Sequence, residues 1–235
     1  MLKPIIVFLL IFTGIFISVK AQTYSIKSFE GYDAKINLYY KPESGILSIG
    51  YLQDTISIND YLSVDTAIVL DKIFLLINYA KRAGSNEDAV NQILLYVLNG
   101  KLCQALHVNS LWNYDLRPSK YSLFKLGLKL SGHDVSTYKL TVNIHNEKRS
   151  ARNPKSNYSY NKIKSLSFDK TKKIFYNSYE YVIGNYTFHN LNNKNSGKKY
   201  LESDVPVVNL GKDKYYYING DWYTKDKTEF YSMLL

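Results

Sequence analysis

Cysteine is all but missing: Cys103 is the one thiol in 235 residues. That excludes an internal disulfide framework and a Cys-based zinc site, so stability has to come from burial of apolar surface. Arginine is scarce too, with 4 Arg beside 26 Lys. Phosphate and base recognition favour the planar, forked guanidinium of Arg, so nucleic acid is a poor match for the positive charge. Gly-rich phosphate loops, Gly-x-Ser-x-Gly elbows and fixed-period repeats are absent. No two histidines stand at i, i+2 or i, i+4 spacing, so no local metal clamp and no cofactor is expected.

The N-terminus is the most legible feature. Lys3 is followed by an apolar run from Ile5 to Ile17, then by Ser18-Val19-Lys20-Ala21 with small residues where a signal peptidase reads. Charged region, apolar region and small-residue site in that order predict a signal peptide over 1–21 and a mature chain from Gln22. The run is shorter than the ~20 residues that span a bilayer as a helix. No transmembrane span is expected after its removal. The destination is the periplasm, the cell surface or the exterior. The Lys/Asn/Ile/Tyr-rich composition resembles exported proteins of AT-rich Gram-negative bacteria.

Charge is uneven along the chain. Residues 22–117 hold 8 basic and 10 acidic residues, and residues 118–235 hold 20 and 10. A basic surface attracts acidic glycans, anionic headgroups or nucleic acid, and export weighs against the last.

Hydrophobic patterning predicts an α+β fold in one domain over 22–235. Alternation at Ala34–Tyr40, a turn at Lys41-Pro42-Glu43-Ser44-Gly45 and a return at Ile46–Leu52 read as a β-hairpin within 22–62. Residues 63–108 read as helical. Val69, Ile73, Leu76 and Ala80 fall at helical spacing, as do Val90, Ile93, Leu94, Val97 and Leu98, with Gly84 and Ser85 as caps between them and Asn99-Gly100 as a stop. Residues 118–235 alternate cleanly at 124–130 and 138–144 and predict an antiparallel sheet of six to eight strands. Residues 146–161 and 192–199 read as polar loops, Gly184-Asn185 as a hairpin turn, and Asn219-Gly220 as the strongest hairpin signal. Helices first and long strands after resemble the element order of the NTF2-like cone over residues 63–225. The Lys214–Tyr223 segment also resembles the aromatic Lys-x-Tyr-Tyr-Ile…Trp-Tyr ends of exported members of that family. The resemblance implies strands closing on a pocket.

No catalytic motif stands out. Cys103 and His107 would share a helix face, but apolar neighbours point to a structural thiol. His133, His145 and His189 are the candidate catalytic residues if a site assembles through space. The real anomaly is 23 tyrosines. Tyr215, Tyr217, Trp222 and Tyr223 with Lys214 are the expected binding face, since rigid amphipathic rings beside cations suit a glycan, a peptide or an envelope protein. Ordinary cross-strand packing is the plainer explanation. Asp54-Thr55-Ile56 and Asp65-Thr66-Ala67 resemble the O-glycosylation sites of a periplasmic bacterial system. The expected function is a non-catalytic exported binding or interaction module. The competing one is a cell-envelope hydrolase acting on a glycan or peptide.

Overall fold

The computed structural model describes residues 20–41, 44–59, 61–82, 87–117, 120–190 and 196–235. Most of the expected signal peptide, Pro42 and Glu43 of the first turn, the caps Gly84 and Ser85, and residues 192–195 of the second polar loop lie outside them. Four strands come first: β1 (Lys20–Lys27), β2 (Asp33–Lys41), β3 (Ile46–Tyr51) and β4 (Asp54–Ile58), paired in sequence order as one sheet. Eight more form a second sheet, again in sequence order. They are β5 (Tyr61–Leu70), β6 (Phe74–Arg82), β7 (Glu87–Leu98), β8 (Lys101–Arg117), β9 (Lys120–Ser131), β10 (Lys139–Ser150), β11 (Tyr158–Asp169) and β12 (Ile174–Tyr176). The last five close a barrel: β13 (Ser178–His189), β14 (Gly197–Asn209), β15 (Lys214–Ile218), β16 (Asp221–Asp226) and β17 (Glu229–Ser232). Every pairing is antiparallel except β13 with β17, which is parallel and closes the barrel. A 3₁₀ turn at Pro154–Ser156 is the one helical element among the described residues. None of them forms a helix long and apolar enough to cross a membrane.

The α+β expectation is therefore corrected to a nearly all-β fold. The described residues of 63–108 are not helical: they make β5 to β7 and the start of β8, and the helices-first element order goes with them. The physical reason is burial on both faces. Phe74, Leu76, Leu94 and Tyr96 enter one core cluster, while Leu75, Ile77, Ile93, Leu95 and Val97 enter another. A strand apolar on both faces loses its period of two, and a short continuous apolar run then matches a buried helix equally well. Punctuation was misread as well. Asn99 and Gly100 have φ of 50° and 72° and make the β7–β8 hairpin turn, not a helix stop. Gly184-Asn185 makes no turn, because β13 runs straight through it. Residues 146–161 are mostly β10 and β11, not a loop.

Three clusters hold the molecule together. The first-sheet residues Ile36, Leu38, Leu47 and Ile49 pack with Leu75, Ile77, Tyr79 and Ile93 of the second sheet. The barrel fills its own interior with Val182, Phe188, Val205, Tyr216, Tyr223 and Phe230. A larger cluster takes Leu94, Leu106, Leu126, Leu140 and Phe175 from the long sheet together with Val208, Tyr215, Trp222 and Met233 from the barrel side. Each fully buried side chain of this size contributes about 1.5–3 kcal/mol, so the barrel and the long sheet share a core. β8 and β9 pair only between residues 111–117 and 120–125, although both strands run on beyond that stretch. The sheet opens there, and a cleft forms where it meets the barrel.

Candidate functional site

The floor of the cleft is one row of side chains across four strands. Trp112 of β8 pairs with Phe124 of β9, Phe124 with Asn146 of β10, and Asn146 with Tyr160 of β11. Residues paired in this way point to the same face, and strands lie ~4.8 Å apart, so the row is ~14 Å long. Ser122 and Tyr158 belong to the next row, both opposite Lys148. The far wall is the turn between β14 and β15, with Leu210, Lys212 and Asp213. Together with Asn109 these residues enclose about 290 Å³. A second cavity of about 260 Å³ is lined by the same Asn109 and Trp112 and by Asn91, Thr224 and Ser232.

The row is held firmly. Asn146 is buried and donates from Nδ2 to Tyr160 Oη at 3.1 Å. The Tyr158 and Tyr160 rings stack at 5.8 Å with planes 29° apart. Opposite them, the Leu210 amide donates to the Asp213 carbonyl at 2.9 Å. The Asn177 side chain pins the same turn by bonding both the amide and the carbonyl of Asn209, at 2.8 and 3.0 Å. Burial pushes the Asp213 carboxyl above its ordinary range, and neighbouring Lys212 pulls it partly back. The Asn109 amide donates to Tyr215 Oη at 3.2 Å, tying barrel to sheet at the cleft edge. Aromatic faces, amides, a hydroxyl, a carboxylate and an ammonium thus converge on one concavity, the usual make-up of a small-ligand site.

The residues singled out from sequence lie elsewhere. Tyr215, Trp222 and Tyr223 are buried at 0–1% exposure, so most of the expected binding face is core. Trp222 donates from Nε1 to the Gln104 carbonyl at 3.4 Å, and Tyr223 packs edge-on to Phe188. Tyr217 is half-buried, 5.2 Å from Trp222, and Lys214 pairs with Glu180 at 2.8 Å. Packing of cross-strand rings accounts for this hairpin. The exposed tyrosines include Tyr160 in the cleft and Tyr179, Tyr181 and Tyr200 on the β13–β14 ribbon.

The histidines do not converge. His133 is exposed in the β9–β10 turn, 3.5 Å from Asp71. His189 stacks on Tyr231 at 4.5 Å and faces Glu229 at 3.5 Å. His145 has Nδ1 2.9 Å from Asn161 Oδ1 and Nε2 3.4 Å from Glu147. Tyr121 and Arg149 each donate to that carboxylate at 2.7 Å and hold it down to about 2. Cys103 and His107 do not meet either. A bulge at Ala105, between the Leu95–Gln104 and Leu94–Leu106 pairs, turns His107 to the opposite face of β8. Among the described residues no group of three His, Cys, Asp or Glu could hold a metal. Thr55 and Thr66 are exposed on β4 and β5.

Sequence reasoning missed the cleft because its residues come from five separated stretches. One signal was available: Trp112, Phe124, Asn146 and Tyr160 all occupy facing positions once the strand registers are known. Comparison with protein-family models, with curated proteins and with solved structures finds no match, and nothing in them bears on the NTF2-like resemblance.

Proposed function

We propose that the chain is an exported, non-catalytic binding module whose cleft takes one or two sugar units of a glycan. The row Trp112–Phe124–Asn146–Tyr160 carries this reading. A pyranose ring has apolar C–H faces and a polar rim, and this row sets the Asn146 amide between the rings of Trp112 and Phe124 on one side and Tyr160 on the other. Its volume suits a small ligand. Asn146, already donating to Tyr160, fixes the phenol so that little order is lost on binding.

The hydrolase reading has less support. Acid–base cleavage of a glycosidic bond uses two opposed carboxylates, and Asp213 is the one carboxylate among the residues lining the cleft. None of the four histidines lines it. Export rests on the Lys3–Ala21 pattern. Cleavage after Ala21 would remove two pairs of β1, Lys20 with Tyr40 and Ala21 with Tyr39, and keep the other six.

The two tryptophans make the test direct, because Trp222 is buried in the core and Trp112 lines the cleft. Titration with a panel of neutral and acidic oligosaccharides is expected to change Trp112 emission saturably, with no reducing ends released. W112F abolishes the change, and Y160A weakens binding by about tenfold or more, the usual loss for a central ring. Emission that stays flat across the panel, or steady release of reducing ends, would overturn the proposal.

A further inference from the structure

Most of the net positive charge of this protein sits on one tongue of three strands. Residues 120–169, which make β9, β10 and β11, hold ten basic and three acidic residues; the rest of the chain holds 20 and 17. The tongue therefore carries seven of the ten net positive charges. Its two faces differ. Even-numbered positions include those that line the cleft or enter the core, as Leu126, Leu140, Val142 and Ile144 do, together with Lys148, Lys162 and Lys164. Odd-numbered positions form a second face on which Lys125, Gly127, Lys129, Lys139, Asn143, Arg149, Asn161 and Ser165 are all left exposed by the described residues.

Register arranges this open face in rows. Lys139 stands between Ser131 and Ser167, Thr141 between Lys129 and Ser165, and His145 between Lys125 and Asn161. Rows two residues apart are ~7 Å apart along the strands, so cations recur over ~20 Å with amide and hydroxyl groups between them. Lys125, Lys129 and Lys139 make no ion pair among the described residues. Glu147, an acid on this face, is occupied by Tyr121 and Arg149. An unneutralised row of cations on a rigid sheet is a field waiting for a linear polyanion.

We infer that this outer face docks an acidic polysaccharide, one bearing carboxylates or sulfates along an extended chain. Interleaved Asn143, Thr141, Asn161 and Ser165 offer hydrogen bonds to sugar hydroxyls as well as to the anions. Single-stranded nucleic acid would need exposed rings for its bases to stack on; the two rings on this face, Tyr121 and His145, are partly buried and held against Glu147. An anionic bilayer would need apolar groups to dip into it, and this face offers Ile163, 70% exposed, with half-buried Leu123. This surface lies on the opposite side of the tongue from the cleft, so it stands or falls separately from the cleft reading.

The test uses the full chain on immobilised heparin and polygalacturonate, with single-stranded DNA and anionic phospholipid vesicles as competitors. Retention at 0.15 M salt is expected, with elution at clearly lower salt for K125E/K129E/K139E and intermediate elution for the matching Lys→Gln variant. The log–log slope of affinity against salt falls by about one for each lysine that contacts the chain. Circular dichroism shows the variants folded, and the Trp112 response to oligosaccharide stays at its original strength. Passage through both columns unretained, variants that elute with the parent, or tighter binding to DNA or vesicles than to either polysaccharide would each overturn the inference.

Discussion

His107 has no exposed surface, and both of its ring nitrogens are engaged. Gln104 Oε1 can only accept, so Nδ1, 3.2 Å away, carries the proton and Nε2 accepts from Tyr79 Oη at 2.7 Å. Gln104 then donates from Nε2 to Asp221 at 3.2 Å, which also accepts from Asn190. This chain threads from the first core cluster to the barrel with each donor matched to an acceptor, and buried polar networks hold only when they are satisfied in this way. Burial, helped by nearby Lys81, pushes the imidazole down to about 3. The unfolded chain takes up this proton below about pH 6.5 and the folded chain does not until about pH 3. The stabilisation from His107 is therefore full above pH 6.5 and is lost as pH falls, at up to about 1.4 kcal/mol per pH unit. Chemical denaturation at pH 7, 6 and 5 should show that decline, and H107Q should flatten it while lowering stability at pH 7. Glu147, held down by Tyr121 and Arg149, adds a loss of the same sign only below about pH 4.5. A midpoint that does not move between pH 7 and 5 would contradict this account of His107.

At the scale of elements, legibility followed the number of buried faces. β2, β3, β9 and β10 are readable because one face is wet and the alternation survives, as in the buried–exposed repeat of β10, whereas the β15–β16 hairpin, buried on both faces, is readable from its Asn219-Gly220 turn. β6 and β7 are not, because Leu75 and Leu76, like Ile93 and Leu94, go to different cores and leave no polar gaps. The same Asn-Gly chemistry reads as a hairpin at 219–220 and as a helix stop at 99–100, although Asn99 and Asn219 have φ of 50° and 52°. The surrounding apolar run, not the turn itself, decided the wrong reading. The β5–β6 turn gave still less warning. Asp71 and Lys72 adopt φ of 46° and 61° there without a glycine, and a left-handed residue with a side chain costs about 1–2 kcal/mol. K72G should recover about 1 kcal/mol, or roughly 2–4 °C in Tm for a chain of this size. Its carbonyl still accepts from Lys27. Scanning calorimetry checks this, and a lowered Tm would show that the strain lies elsewhere. Gly132 is the opposite case. A Cβ there would stand 2.3 Å from the Thr137 carbonyl oxygen, so G132A should destabilise by about 2 kcal/mol or more. A G132A midpoint matching the parent's in urea would refute that.

Across the whole molecule, the three sheets are too interlocked to melt apart. Trp222 belongs to β16 of the barrel yet enters the core of the long sheet, and its indole bonds to the Gln104 carbonyl in β8. Far-ultraviolet circular dichroism and buried-tryptophan fluorescence, read in W112F, should therefore trace one coincident unfolding transition. Two separated transitions would mean that the barrel is an independent unit. The cleft gains from the same interlocking. Its floor belongs to the long sheet and its far wall to the barrel, so neither could shape it alone.

The parallel β13–β17 pair has a consequence in time. Residues 229–231 close the barrel against residues 187–189, and just beyond them Met233 and Leu234 enter the two cores of the long sheet. Three regions thus wait on one short stretch. A chain delivered N-terminus first cannot finish folding until that stretch arrives. Under the proposed export that delay is useful: the lock turns only after residues 229–234 have passed through the door.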